Sequence, residues 1–193
     1  MAPLKDRIIG FLGRMLSVVL GIVITFTVQG IQDRRRDRRT VQSALELVRT
    51  ELVSNREDIK VLAEYFREEK AAAKYLVKHQ QDLAKCPKDS VNYHIGIINA
   101  EVSVALPHDA LELLKMSSLF QKIGDNNLSM KIIRAYDSCQ LMVENINRHV
   151  SARDAQPEET RAVWLRGHAP DHYMDTSDID KAVTAINKFL RKR

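Results

Sequence analysis

Apolar residues follow three patterns along this chain. From Ile8 to Gln32 they are nearly continuous, broken by the single charge of Arg14, and Met15–Gln32 is a run of 18 residues without a formal charge. A helix rises about 1.5 Å per residue, so the run extends roughly 27 Å, close to the hydrocarbon core of a bilayer at about 30 Å. Leu16–Thr27 is apolar on nearly every face, whereas a helix lying on a membrane surface needs a polar face. No small-x-small cleavage site follows, as a signal peptide would require. Residues 8–32 are therefore predicted to form a transmembrane helix after a short tail, 1–7, with Arg14 near enough to one end to reach the headgroups. Gly13, Ser17, Gly21 and Thr25 recur every four residues on one face of it. Small residues in that pattern permit close helix association, and are also common in single spans.

The second pattern begins after the charged run 33–40. Val41, Leu45, Val48, Leu52, Asn55, Ile59, Leu62, Phe66, Glu69, Ala73, Leu76, Gln80 and Leu83 are spaced by alternating steps of four and three, and ten of these 13 residues are apolar. That is a heptad seam, and no Gly or Pro interrupts it between Ile31 and Cys86, so one helix is expected to run on from the anchor and end before Cys86-Pro87. Asn55, Glu69 and Gln80 are its polar positions, with Asn55 suited to fixing register and the other two weakening the far end. The seam has two possible partners, a second copy or the chain's own later helices. The 110 or so residues beyond it favour the latter.

Shorter patterns fill the remainder. Ser90–Leu106 is rich in β-branched residues, but a lone strand would lack a partner, so a short buried helix is expected. Pro107 opens a helix carrying Leu111, Leu113, Leu114, Met116, Leu119, Phe120 and Ile123, with Gly124 as its stop. Asp125 or Asn126 caps a helix whose Leu128, Ile132, Tyr136, Cys139, Met142, Ile146 and Val150 trace one face. A short helix from Pro157 to about Arg166, a polar connection, and a last helix from about Asp178, capped by Ser177, complete an all-α chain. The expected architecture is an N-terminal transmembrane helix continuing into a long helix packed in a cytoplasmic helical bundle, with the bundle occupying 41–193.

The net charge of +5 would suggest a nucleic-acid or membrane partner, so its location matters. Residues 1–40 hold eight Lys/Arg against three Asp, while residues 41–193 balance at 22 of each sign. The excess lies beside the apolar run, in Arg34, Arg35, Arg36, Arg38 and Arg39 on one side and Lys5, Arg7 and Arg14 on the other. By the positive-inside rule, this distribution points to a single-pass protein of the inner (cytoplasmic) membrane with its C-terminal domain in the cytoplasm. No aromatic residues interleave the arginines, so they read as contacts for anionic lipid headgroups in the bilayer, with no nucleic acid. Cys86 and Cys139 would stay reduced in that compartment.

The chain carries no phosphate loop, dinucleotide turn, nucleophile elbow, HExxH helix or CxxC pair. His168 and His172 approach ligand spacing near Asp171 and Asp175, but Pro170 between them disfavours the regular helix that would aim both rings at one metal. Glu64, Glu68 and Glu69, alternating with Lys60, Arg67, Lys70 and Lys74, read as a solvated salt-bridge face. No catalytic residue, cofactor or metal is expected.

Three segments together, LGIVITFTVQGIQDRRRDRR, then Glu51-Leu52-Val53-Ser54-Asn55, then AEVSVALPHDALELLKMSSLFQKI, give the chain an architecture that resembles small bacterial single-pass membrane proteins with a cytoplasmic helical domain. The resemblance covers about residues 8–150 and implies an anchored helical domain with no assigned catalytic residue. The expected function is that of a noncatalytic, membrane-anchored interaction or scaffold protein, self-associating and bound to an unidentified protein partner. The alternative is a membrane-tethered sensor in which the long helix shifts on binding, with Asn55, Glu69 and Gln80 as its bistable positions.

Overall fold

Residues 31–86 contain no Gly or Pro, and the structure, a computed structural model, is all-helical among its described residues. It describes residues 4–168, 170 and 174–191, and the side chains of these from residue 35 onward. Among the described residues seven α-helices follow one another: α1 Leu4–Lys78, α2 Lys88–Ile98, α3 Asp109–Met116, α4 Leu119–Ile123, α5 Asn126–Asp154, α6 Glu158–Gly167 and α7 Ser177–Arg191. The chain divides into two units, 1–43 and 44–193. Within the first, Arg35, Arg36, Arg38 and Arg39 are exposed on α1. The proposed span 8–32, with Arg14, Arg34 and the small-residue row Gly13, Ser17, Gly21 and Thr25, lies outside the described side chains. Among the described residues no helix is long and apolar enough to cross a membrane.

In the second unit, the heptad seam is the core. Leu45, Val48, Leu52, Asn55, Ile59, Phe66, Glu69 and Ala73 are each at most 1% exposed within a single chain, and Leu62 is half-buried. Burial of one such aliphatic or aromatic side chain contributes about 1.5–3 kcal/mol, so this row is a major source of the domain's stability.

Cross-links set the register of the three long helices. Glu51 meets Tyr136 and Glu69 meets Arg153, separations of 85 and 84 residues, so α5 runs parallel to α1. Arg49 meets Asn187 and Arg56 meets Asp180, so α7 runs antiparallel to α1. Ile179, Ala182 and Ile186 of α7 are buried, as are Leu128, Ile132, Cys139, Met142 and Ile146 of α5. A second core cluster joins Ala72, Ala73 and Leu76 of α1 to Ile98 of α2 and Leu165 of α6.

Several boundaries differ from the sequence expectation. α1 stops at Lys78, where His79 Nδ1 and the His79 amide both address the Tyr75 carbonyl and the next bond tightens to Gln80 N→Val77 O; Gln80 is exposed and Leu83 begins a short 3₁₀ turn. The stretch 90–106 is not a buried helix. α2 begins earlier, after Pro87, exposes Tyr93 and Ile95, buries only Ile98, and gives way to an irregular segment over residues 99–108. The Leu-rich helix is broken in two at Ser117-Ser118: Ser118 takes a left-handed φ of 54°, and the Ser117 hydroxyl bonds the Leu113 carbonyl. Gly124, at φ 66°, ends the second piece as expected of a glycine stop. Asp125 is the cap of α5, its Oδ1 accepting the Leu128 amide at 3.0 Å. Ser177 is the first residue of α7 rather than its cap, held from Asp175, whose carboxylate accepts both its amide and its hydroxyl.

Candidate functional site

Two polar residues of the heptad seam, Asn55 directly and Glu69 through Arg153, take part in clamps on the irregular segment that joins α2 to α3. At one end of that segment, Asn55 Nδ2 donates to the Pro107 carbonyl at 2.9 Å. One turn earlier on α1, both carboxylate oxygens of Glu51 accept the Ala110 amide at 3.2 Å, and Oε1 also accepts the Tyr136 hydroxyl at 2.5 Å. The first residue pair of α3 has no cap of its own, because the His108 side chain makes no capping bond. Glu51 supplies from a neighbouring helix the acceptor that an N-cap would supply locally, and places negative charge at the positive end of α3. Burial, the hydrogen bond to Glu51 and the Glu51 charge together push the Tyr136 phenol well above the usual tyrosine range.

At the other end, Arg153 of α5 is 1% exposed and distributes its guanidinium over four acceptors. Nη1 bonds Glu69 Oε1 at 2.8 Å and the Tyr65 hydroxyl at 3.3 Å, Nε bonds Asp154 Oδ1 at 2.8 Å, and Nη2 bonds the Ala100 carbonyl at 3.0 Å. Burial opposes the charge, but the bonds to Asp154 and Glu69 outweigh it and hold the guanidinium above the ordinary arginine value. Glu69 was expected on a solvated face and as a weak point of the seam. Instead it is 1% exposed and paired, because Arg153 arrives opposite it from α5. Glu64 and Arg67 do form the exposed pair that face was expected to hold, at 2.8 Å.

His149, one turn before Arg153, lies between the rings of Phe66 and Trp164 at centroid distances of 5.6 and 5.2 Å. Its Nε2 is 3.7 Å from Glu69 Oε2, beyond hydrogen-bond reach. Trp164 in turn stacks on His168 at 4.5 Å. His168 Nδ1 sits 2.8 Å from the Trp164 carbonyl, and His172, its partner in the metal reading, lies outside the described residues. No group of His, Cys, Asp and Glu among the described residues is arranged to hold a metal ion.

Between the clamps, the segment 104–108 roofs a cavity of about 400 Å³ lined by Val104, Pro107, Leu111, Tyr136, Cys139 and Val143. Cys139 is buried, and burial pushes its thiol up to about 11, so it is not an activated nucleophile. Asn55 Oδ1 is buried without a hydrogen-bond partner, while the other end of its amide is held by Pro107.

The clamp residues Glu51 and Asn55 and the segment they grip, Pro107 to Ala110, are the two sequence elements that stood out downstream of the anchor, and here they touch. Tyr136, Arg153, Tyr65 and His149 were not singled out as site residues beforehand. Of these only Tyr136 had been placed on a core face, and no local signal pairs Arg153 with a residue 84 positions away. Of the positions suggested for a bistable element, Asn55 and Glu69 have fixed partners and Gln80 is exposed outside α1. No protein family, curated protein or solved structure matches the chain.

Proposed function

We propose that the protein is a noncatalytic membrane-anchored interaction module, with residues 8–32 spanning the inner membrane and the helical domain on the cytoplasmic side. One observation carries the anchoring: the 18-residue uncharged run Met15–Gln32 ends directly before a band of arginines, of which Arg35, Arg36, Arg38 and Arg39 are exposed. Exposed guanidinium groups at that position meet anionic headgroups, each contributing about 1 kcal/mol near a charged surface. The noncatalytic character is supported by what the buried and half-buried polar groups do. Glu51, Asn55, Glu69 and Arg153 are engaged in holding helices and the 99–108 segment together, which is scaffold chemistry rather than proton or nucleophile chemistry.

Since the seam of the second unit is covered by the chain's own α5 and α7, self-association is assigned to the 8–32 segment, through Gly13, Ser17, Gly21 and Thr25. Membrane fractionation with alkaline carbonate tests the anchor: the full chain should stay in the pellet, and a chain starting at residue 35 should be released. Protease treatment of intact spheroplasts should leave the C-terminal domain uncut. Release of the full chain by carbonate, or cleavage from outside, would overturn the reading.

A further inference from the structure

At the end of the domain away from the Glu51 clamp, the second core cluster is left open to solvent along a groove between α1, α2 and α6. Its floor is Leu76 and Ile98, both buried, and its walls include Ile95 and Val163, which are 40% and 44% exposed. Glu158 and Glu159, in the first turn of α6, line one end of it. Neither carboxylate has a hydrogen bond or ion pair among the described residues; Arg161 on the same helix donates instead to Asn99 Oδ1, on the groove wall, and to the Gln156 carbonyl. The groove therefore combines an apolar bed with an acidic end.

We propose that this groove docks an amphipathic helix of a partner protein, which inserts two or three aliphatic side chains from one face and sets a lysine or arginine over Glu158 and Glu159. This names the partner surface of the interaction module and rests on that reading. The size of the groove favours it. About 290 Å³ is at or below the lower limit of pockets that enclose a whole small molecule, about 300–1,000 Å³, but it accommodates a few side chains presented at i, i+4 and i+7 by a docked helix. The charge fixes the kind of helix, because an acidic helix would set like charges together at Glu158 and Glu159.

The test uses the full chain in detergent or nanodiscs and a pair of fluorescein-labelled helical peptides with the same leucine pattern, one bearing two lysines in its terminal turn and the other two glutamates. Fluorescence anisotropy should show the lysine peptide binding about fivefold to tenfold tighter, a difference of about 1–1.4 kcal/mol for exposed charges. The surface variant Glu158→Gln/Glu159→Gln should abolish that preference without changing the helical signal. Val163→Asp, on the exposed wall, should weaken both peptides at least about tenfold by placing a charge in the apolar bed. Equal affinity for both peptides, or binding insensitive to Val163→Asp, would overturn the proposal. So would loss of self-association in Val163→Asp with no binding of either peptide, which would assign the groove to a second copy of the chain. Peptide binding is read independently of carbonate extraction, so the anchor and the groove fail separately.

Discussion

Arg153 and Glu69 meet at 2.8 Å between parallel helices α5 and α1, each 1% exposed, and the same guanidinium holds the Ala100 carbonyl of the segment that follows α2. Arg153→Ala leaves the Glu69 charge buried without a partner, and should destabilise the domain by about 3–5 kcal/mol. Glu69→Gln keeps an acceptor for Nη1 and should cost less. Replacing both, as Glu69→Leu/Arg153→Met, should recover part of the loss, because an apolar pair removes the desolvation cost of both charges. Urea denaturation of the four proteins measures this. A double variant no more stable than Arg153→Ala would show that the Ala100 and Tyr65 bonds, not the ion pair, carry the effect.

The Glu51 clamp acts at a helix end and has a local signature. Removing the carboxylate in Glu51→Ala leaves the Ala110 amide and the Tyr136 hydroxyl without their acceptor, at about 1–3 kcal/mol for each buried group that water does not reach. Amide exchange should accelerate in the first turn of α3 more than in the middle of α5. Tyr136→Phe removes only one of the two donors and should leave exchange at Ala110 nearly unchanged.

Alkaline pH should loosen the domain through Cys139. Burial raises its thiol from 9.0 to about 11, so between those values the unfolded chain releases a proton that the folded chain keeps. Stability is then unaffected below about pH 9 and falls as pH rises toward 11, by at most about 1.4 kcal/mol per pH unit. Tyr136, raised in the same direction, adds to the fall at the upper end. Thermal melts of Cys139→Ala and the parent chain across pH 7–10.5 check this: the pH slope should be shallower in the variant. The parent thiol should also react with iodoacetamide more slowly than the half-buried Cys86 at neutral pH.

The helical class and the buried row on α1 were legible because a repeat of four and three over many turns is a one-dimensional signal. Leu45, Leu52 and Ile59 could be placed in the core from spacing alone. The roles of Asn55 and Glu69 were not legible in the same way. At a seam position a polar residue reads as a defect until its partner is known, and the partners here are a carbonyl at Pro107 and a guanidinium at Arg153, both remote in sequence. The break at Ser117-Ser118 was also hidden, because neither residue is a Gly or Pro and the apolar period of the Leu-rich helix continues across it. The groove at Ile95 and Val163 depends on how three helices diverge, which no single helix encodes.

Ser118 offers a direct measure of that hidden break. It is the only non-glycine residue with positive φ among those described, at 54°, a region that costs an L-residue roughly 1–2 kcal/mol. Its side chain makes no capping bond to α4 that would offset this cost. Ser118→Gly should therefore stabilise the domain. The gain is set by the relief of strain minus the extra freedom glycine has in the unfolded chain, and should come to about 0.5–1 kcal/mol. Ser118→Val, with a β-branched side chain in the same conformation, should destabilise by at least as much. If Ser118→Gly instead lowers the urea midpoint, as glycine does inside a continuous helix, α3 and α4 form one helix in solution, and the break is not a feature of the fold.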